Sequence, residues 1–494
     1  MKLRIPGLGL PRPQVGGVAR NLIVVGGATA VGQGALVLVS PVLSRLYDPE
    51  AFGLLSVYAA VLSVLVSIAS LRFDFAIPIA SEPAEAAHLL ALSVVISLIT
   101  SATLAVVLLL WGSQLAGALG AEPLVSFLWL LPIALFLASV VQALSSWAVY
   151  QRTFSALGRM RAIQGFAQAV GQASLGFGHA GLVGLILGDV AGRVFGAEQL
   201  IRSSFVRLRS TSLSVASMGR CARQRWGFAR VMTGASFLSA LSLQVPFLMI
   251  PALFDLQSSG QYFLAYRMLT LPASLVAAAV GQVFFGEASH RRADRQRLHD
   301  LALAAAVSLF VFSIPTYAIV AVGGQALIAT VFGRQWQLAG LYAQIMAPSL
   351  IFWSIANPMS SLPVIGRRER ESLAFTAAEL GVKAASLGIG AALHSLTIGI
   401  VVLSLVSVAI EVAAMWRFLR IASVSLGELV RPAGRIAALT LPFLGLVLLV
   451  GFATPRFATP LLMPAVSAIA WVGAIAIAVR NSPEARALIS GAHD

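Results

Sequence analysis

The residues of this chain that could do chemistry are a few charges set inside apolar sequence. Asp189 and Arg193 stand four apart, as do Glu379 and Lys383. On a helix each pair shares one face with the acid toward the N-terminus, the order in which two such side chains neutralise each other best. A charge at the middle of a bilayer costs roughly 2.5–3.5 kcal/mol on insertion scales, so it faces a bundle interior and often marks a pathway. Both readings stand for these four residues: structural intramembrane pairs or, for Glu379, an acid that binds and releases an ion. Arg267 is different, because its helix offers no acid nearer than Asp255, about three turns away by helical pitch. It is a candidate for a hydrated cavity that meets an anion, since a guanidinium fork engages two phosphate oxygens at once. Glu411 also lacks a local partner unless it reaches Arg417 or another helix, and is a second ion-coupling candidate. Arg72 and Asp74, two residues apart, project from different parts of a helix surface. They are either an interfacial anchor or, respectively, an anion-binding and an ion-coupling group. Gln164, Gln168 and Gln172 recur every four residues, as interhelical glue or as a wall for sugar hydroxyls.

Enzymatic signatures are missing from the sequence. The only lysines are Lys2 and Lys383, so there is no Walker-type phosphate loop, and neither HExxH, GxSxG nor DDxxD occurs. The six histidines are scattered, and the single cysteine, Cys221, allows no intrachain disulfide. The expectation is a non-enzyme with no cofactor and no metal site.

The elements that must position these charges are membrane spans. Of 494 residues 58% are hydrophobic and 11% charged, against roughly 25% charged in soluble domains. Apolar runs long enough to cross a hydrocarbon core of about 30 Å are expected at about 20–43, 51–79, 88–110, 124–149, 161–178, 180–201, 229–253, 258–285, 299–322, 338–363, 372–392, 395–419, 435–452 and 457–479. The first is too long and too rich in Gly26, Gly27, Gly32, Gln33 and Gly34 for a cleaved leader. The fold class is therefore an all-α integral membrane protein of about 14 transmembrane helices. The net charge of +15 has no soluble domain to hold nucleic acid. With the N-terminus inside, 28 of the 34 Lys and Arg fall at cytoplasmic ends and only Arg45, Arg334 and Arg456 at the other side, which predicts both termini cytoplasmic. The seven arginines of the stretch from Arg202 to Arg230 read as a loop lying on anionic lipid headgroups. The longest outer loop is expected at about 323–337.

An internal repeat is visible. Leu46-Tyr47-Asp48 followed by Gly53 recurs as Leu253-Phe254-Asp255 followed by Gly260; Ala19-Arg20 recurs as Ala229-Arg230. Gln33 has its counterpart in Gln244, His88-Leu89-Leu90-Ala91-Leu92 in His299-Asp300-Leu301-Ala302-Leu303, and Gly158-Arg159 in Gly366-Arg367. A repeat of six spans gives two parallel lobes, 1–210 and 211–420, around a central cavity, with two further helices in 421–494. Pro132, Pro246, Pro272, Pro315 and Pro348 fall inside predicted spans, where each removes a backbone hydrogen bond.

Three stretches resemble one family. They are Leu43-Ser44-Arg45-Leu46-Tyr47-Asp48-Pro49-Glu50-Ala51-Phe52-Gly53-Leu54; Arg72-Phe73-Asp74-Phe75-Ala76-Ile77-Pro78; and Val331-Phe332-Gly333-Arg334-Gln335-Trp336 leading to Ala339-Gly340. The pattern is similar to the polysaccharide transport (Wzx-type) flippases of the multidrug/oligosaccharidyl-lipid/polysaccharide exporter superfamily. Asp74 stands where Glu is also common in that family. The resemblance implies a bacterial inner-membrane transporter of undecaprenyl-pyrophosphate-linked glycan (an O-antigen or exopolysaccharide repeat unit). It also implies membrane lipids, a polymerase and glycosyltransferases of the same pathway as partners. A sugar hydroxyl taken into hydrocarbon without a partner costs roughly 4–8 kcal/mol, so such a cargo needs amides and cations along its path. Gln33, Gln142, Gln244, Asn357, Arg72 and Arg267 are the candidate suppliers. Arg72 and Arg267 are expected to converge across the two lobes. The competing readings are an ion-coupled multidrug exporter of the same superfamily and a membrane-embedded glycan ligase or polymerase.

Overall fold

The computed structural model describes residues 15–208, 214–290, 295–359, 369–453 and 462–482. Among them run fourteen α-helices: α1 Val15–Leu46, α2 Pro49–Ala69, α3 Pro83–Ala118, α4 Leu130–Tyr150, α5 Phe154–Phe177, α6 Gly181–Leu208, α7 Val215–Leu253, α8 Leu256–His290, α9 Arg295–Phe332, α10 Gln337–Met359, α11 Glu369–Ala392, α12 Leu396–Ile421, α13 Leu426–Ala453 and α14 Leu462–Asn481. Eleven are long and apolar enough to cross a membrane. The other three, α5, α6 and α8, have 24, 28 and 35 residues against about 20 needed to span. They are the helices that carry the glutamine stripe, Asp189 with Arg193, and Arg267. The chain is a multi-pass membrane protein.

Helices α1–α6 pack on one another, α7–α12 do the same, and α13 and α14 lie against α9. The predicted boundary at 210/211 lies outside the described residues, as does Gly366-Arg367 of the repeat. Two helix starts show why the repeat exists. Asp48 caps α2 by accepting from the Ala51 amide at 2.8 Å, with Pro49 in the first turn. Asp255 does the same for α8, accepting from the Ser258 amide at 2.6 Å. The two capped helices then cross each other at Gly53 and Gly260, where backbone meets backbone. Within each set of six, the last hairpin closes in the same way. A Cβ on Gly171 of α5 would sit 3.1 Å from Gly188 Cα of α6, and one on Gly390 of α11 would sit 2.6 Å from Gly399 Cα of α12. Small residues let apolar helices approach in lipid, where packing replaces hydrophobic drive.

The crossing closes one end of the bundle. There Leu43, Phe52 and Tyr58 share a buried cluster with Val245, Tyr262 and Trp336. Ser44 at the end of α1 accepts through its carbonyl from Gln335 Nε2 at 2.7 Å and Trp336 Nε1 at 3.0 Å. Its hydroxyl donates to the Phe332 carbonyl at 3.1 Å. At the arginine-rich end, Cys221 and Ala229 of α7 are buried with Phe73, Ile77 and Trp147. Arg225 of α7 binds Glu85 of α3 at 2.7 Å, and the Ser214 amide donates to His88 Nε2 at 3.4 Å.

Several sequence expectations need correction. The stretch from Arg202 to Arg230 is largely helical, since α6 continues to Leu208 and α7 begins at Val215. Its Ala, Met, Arg and Gln are good helix formers, and Cys221 and Ala229 give it a buried face. Most of the outer loop at 323–337 is likewise helical, because α9 runs on through Gly323 and Gly324 and ends only at Phe332, before Gly333 at φ +106°. Pro132 does not kink a span: it sits in the first turn of α4, where the missing N–H has no helical partner to lose. The second span ends at Ala69, because Leu71 and Arg72 take left-handed backbone (φ 48° and 56°) and a 3-10 helix follows at Phe73–Ile79.

Candidate functional site

Helix starts give depth. Counting from the closed end at 1.5 Å per residue, Asp189 lies about 12 Å along α6 and Arg193 about 18 Å. Tyr58 lies about 14 Å along α2 and Arg267 about 17 Å along α8. The four occupy one layer near mid-membrane. Arg193 binds Asp189 through Nε to Oδ2 at 2.9 Å and Nη2 to Oδ1 at 3.3 Å. Asp189 is also the acid whose charge reaches Arg267 from the other set of helices. Tyr58 is 4% exposed, its hydroxyl lies in the field of Asp189 and Arg193, and that oxygen has no hydrogen-bond partner among the described residues. Arg161 of α5 is exposed and feels the charge of Arg193. Two guanidinium groups, Arg193 and Arg267, thus lie in the field of one carboxylate.

Helix α8 is held in place there by neighbours of Arg267. Ser40 of α1 reaches Met268 Sδ at 3.8 Å, and Tyr317 of α9 donates to the Leu269 carbonyl at 2.9 Å. Of the glutamine stripe, Gln172 acts as glue: it is buried and donates to the Leu185 carbonyl at 3.0 Å. Gln164 and Gln168 are half-buried, and Gln164 Oε1 has no partner among the described residues.

A second polar constellation lies within the α7–α12 set. A cavity of about 70 Å³ is lined by residues including Tyr262, Tyr266, Trp353, Lys383, Ser407 and Glu411. Lys383 pairs with Glu379 at 2.5 Å and donates to the Ser242 carbonyl at 3.4 Å. Glu411 of α12 faces this pair and lies within reach of both charges. Glu411 itself makes no ion pair among the described residues, because Lys383 is already taken by Glu379.

Arg72 and Asp74 sit apart from both constellations, at the arginine-rich end. Asp74 is 0% exposed; Ser70 donates to its Oδ1 at 2.5 Å and Arg72 Nη1 stands 3.9 Å from its Oδ2. Arg72 also lies over the Phe75 ring at 4.5 Å. The left-handed turn brings the two side chains together, although their spacing on a continuous helix would separate them. Arg72 is thus paired with Asp74 and does not converge with Arg267, which lies in the field of Asp189 instead. Gln244 of α7 donates to Ser63 of α2 at 3.3 Å, between the two sets of helices. Gln33 on α1 and Gln142 on α4 are half-buried, and Asn357 near the end of α10 is exposed.

Sequence reasoning missed Tyr58 and Arg161. Arg161 was legible: it precedes Gln164 and Gln168 by three and seven residues, which puts it on the stripe's own helix face. Tyr58 gave no signal, since an aromatic residue in an apolar span is ordinary.

The fold is shared with known transporters. It superposes on the lipid II flippase MurJ in an inward closed conformation with a TM-score of 0.72 at 12% identity, covering 94% of this chain and 99% of that one. An inward-facing multidrug resistance MATE family transporter of the MOP superfamily gives 0.58 at 16% identity, covering 84% and 96%. A MOP superfamily transporter from Pyrococcus furiosus, described as having a binding pocket of reverse polarity, gives 0.52 at 15% identity, covering 82% and 96%. A search of curated protein sequences returned no match. The sequence profile of the polysaccharide biosynthesis proteins matches residues 42–339, more than half of the chain, and the protein belongs to that family.

Proposed function

We propose that this protein is a flippase. It carries undecaprenyl-pyrophosphate-linked oligosaccharide, an O-antigen or exopolysaccharide repeat unit, across the bacterial inner membrane by alternating access. Its lobes are 1–210 and 211–420, with 421–494 adding a helix pair, and both termini are cytoplasmic, as the arginine asymmetry supports. The observation that carries this reading is the layer in which Arg193 of one lobe and Arg267 of the other lie in the field of one carboxylate, Asp189. Excess positive charge inside a bilayer is expensive unless it is used, and a diphosphate headgroup supplies the missing negative charge. Gln33, Gln142, Gln244 and Asn357 are the amides for sugar hydroxyls. Arg72 is a second cation on the headgroup's route. Among the acids, Glu379, Glu411 and Asp74 are the ion-coupling candidates. Glycosyltransferases would supply the cargo and a polymerase would consume it. A flipping assay in proteoliposomes tests this: undecaprenyl-pyrophosphate-linked sugar added to one leaflet should reach the other only when the protein is present. No flipping above protein-free vesicles overturns the reading.

The cavity with Glu411, Tyr262, Tyr266 and Trp353 favours a second reading, an ion-coupled multidrug exporter, because acids and aromatic faces suit organic cations. Gradient-driven efflux of a cationic dye from the same vesicles, without glycan flipping, would select it.

A further inference from the structure

We propose that Asp189 is a built-in competitor of the substrate, holding the arginine layer when no cargo is bound and yielding it to the cargo's diphosphate. This rests on the flippase reading and deepens it. Both Asp189 oxygens are taken by Arg193 in a two-point contact, which is the geometry a phosphate oxygen pair would use on the same guanidinium. Arg267 feels that carboxylate but makes no hydrogen bond to it among the described residues. The Tyr58 hydroxyl is buried beside the pair with its hydrogen-bonding capacity unspent. The site therefore has donors on α2, α6 and α8 arranged around an anion of insufficient charge and too few oxygens.

A diphosphate has more of both. It can take Arg193 from Asp189, engage Tyr58, and reach Arg267 on the opposite lobe. Asp189 cannot leave, because it is fixed to α6, so its charge stays beside the bound cargo and repels it. The same residue then has two effects. It keeps the empty site neutral enough to sit at mid-membrane, and it speeds release by recovering Arg193 as the diphosphate departs. A substrate bound by two arginines and a tyrosine without such a competitor would be held too tightly to turn over, the penalty of stabilising a bound state rather than a step.

The test uses inorganic pyrophosphate binding to the full chain in nanodiscs, together with flipping of undecaprenyl-pyrophosphate-linked disaccharide in proteoliposomes. Asp189→Asn removes the charge and keeps the shape. It should tighten pyrophosphate binding on the order of tenfold, the size expected for loss of one nearby like charge, while KM for flipping falls and kcat falls with it. Asp189→Glu keeps the charge and should bind pyrophosphate within about twofold of the unaltered protein, which separates charge from folding. Arg267→Ala should lose pyrophosphate binding. If Asp189→Asn binds pyrophosphate no better than the unaltered protein, or unfolds while Asp189→Glu also loses binding, Asp189 is a structural partner of Arg193 and the proposal is wrong. If Arg267→Ala loses binding and Asp189→Asn does not tighten it, the competitor role alone falls and the flippase reading stands. If the unaltered protein neither binds pyrophosphate nor flips the lipid, both fall.

Discussion

Gly53 and Gly260 hold the same position in the two halves of the repeat, and they lie against each other where α2 crosses α8. A Cβ on Gly53 would sit 2.0 Å from the Leu256 carbonyl oxygen, and one on Gly260 would sit 1.8 Å from the Pro49 carbonyl oxygen. Both obstacles are backbone, so neither can move aside as a side chain does. Just beyond them Ser56 and Ser259 share a hydrogen bond at 3.0 Å.

The first prediction follows from that contact. Gly53→Ala and Gly260→Ala should each destabilise the closed end by about 1–3 kcal/mol, as overpacking does. The double variant should cost less than the sum of the two, because the first Cβ already forces apart the crossing that the second would strain. Thermal unfolding in detergent measures the cost. Additive losses would mean that the two glycines act independently.

How far this was legible in the sequence differs by element. The Leu-Tyr-Asp and Leu-Phe-Asp repeats located both helix starts, because an N-cap is chemistry within a few residues. The pairs Asp189 with Arg193 and Glu379 with Lys383 were legible for the same reason. Their surroundings were not. That Arg267 lies near Asp189 depends on how α8 crosses α2, a distance of 78 residues in sequence with no local mark. The joining of Arg72 to Asp74 depends on two residues of left-handed backbone, which neither Leu71 nor Arg72 announces.

A second prediction concerns the closed end. The Ser44 carbonyl accepts from both Gln335 and Trp336, and Trp336 packs edge-on against Phe52 at 5.0 Å. Trp336→Phe keeps much of the ring contact and removes the N–H. Losing one such hydrogen bond is worth about 0.5–1.5 kcal/mol, so opening of this end should become roughly two- to tenfold more frequent. Thiol labelling of Ser56→Cys in a Cys221→Ala background reads that opening. Unchanged labelling would show that the indole N–H does not hold the gate.

A third prediction tests orientation. Cys221, the natural probe, is only 8% exposed and packs under the 3-10 helix Phe73–Ile79, so it should label slowly from either side. Gln224 is exposed on the same basic part of α7. Gln224→Cys, with Cys221→Ala, should react with a membrane-impermeant thiol reagent only after the cell is opened. Rapid labelling in intact spheroplasts would invert the topology.

A fourth prediction separates charge from geometry at the arginine layer. Arg267→Ala should abolish complementation of glycan assembly at normal membrane abundance. Arg267→Lys should restore it only partly, by roughly a tenth to a half, since the charge remains and the two-oxygen fork does not. Full activity of Arg267→Ala would return the residue to a packing role.

The last prediction concerns coupling and sets the two acids of the C-lobe cavity apart. Glu379 is held by Lys383 at 2.5 Å, so its charge is already matched within α11. Glu411 lines the same cavity without an ion pair of its own among the described residues. It is therefore the acid freer to take up a proton or sodium ion. Glu411→Gln should make flipping insensitive to the ion gradient while leaving the downhill rate within a fewfold of normal. Glu379→Gln should act differently: it strips Lys383 of its partner, and the bare ammonium then turns to Glu411. In that variant gradient dependence should weaken because the lysine competes with the ion, and adding Lys383→Met should restore it. Asp74, buried and bound to Ser70 and Arg72, should alter folding yield before it alters coupling. Flipping rates measured with and without an imposed gradient distinguish these outcomes. Equal gradient dependence in Glu411→Gln and the unaltered protein would remove the cavity from the coupling mechanism.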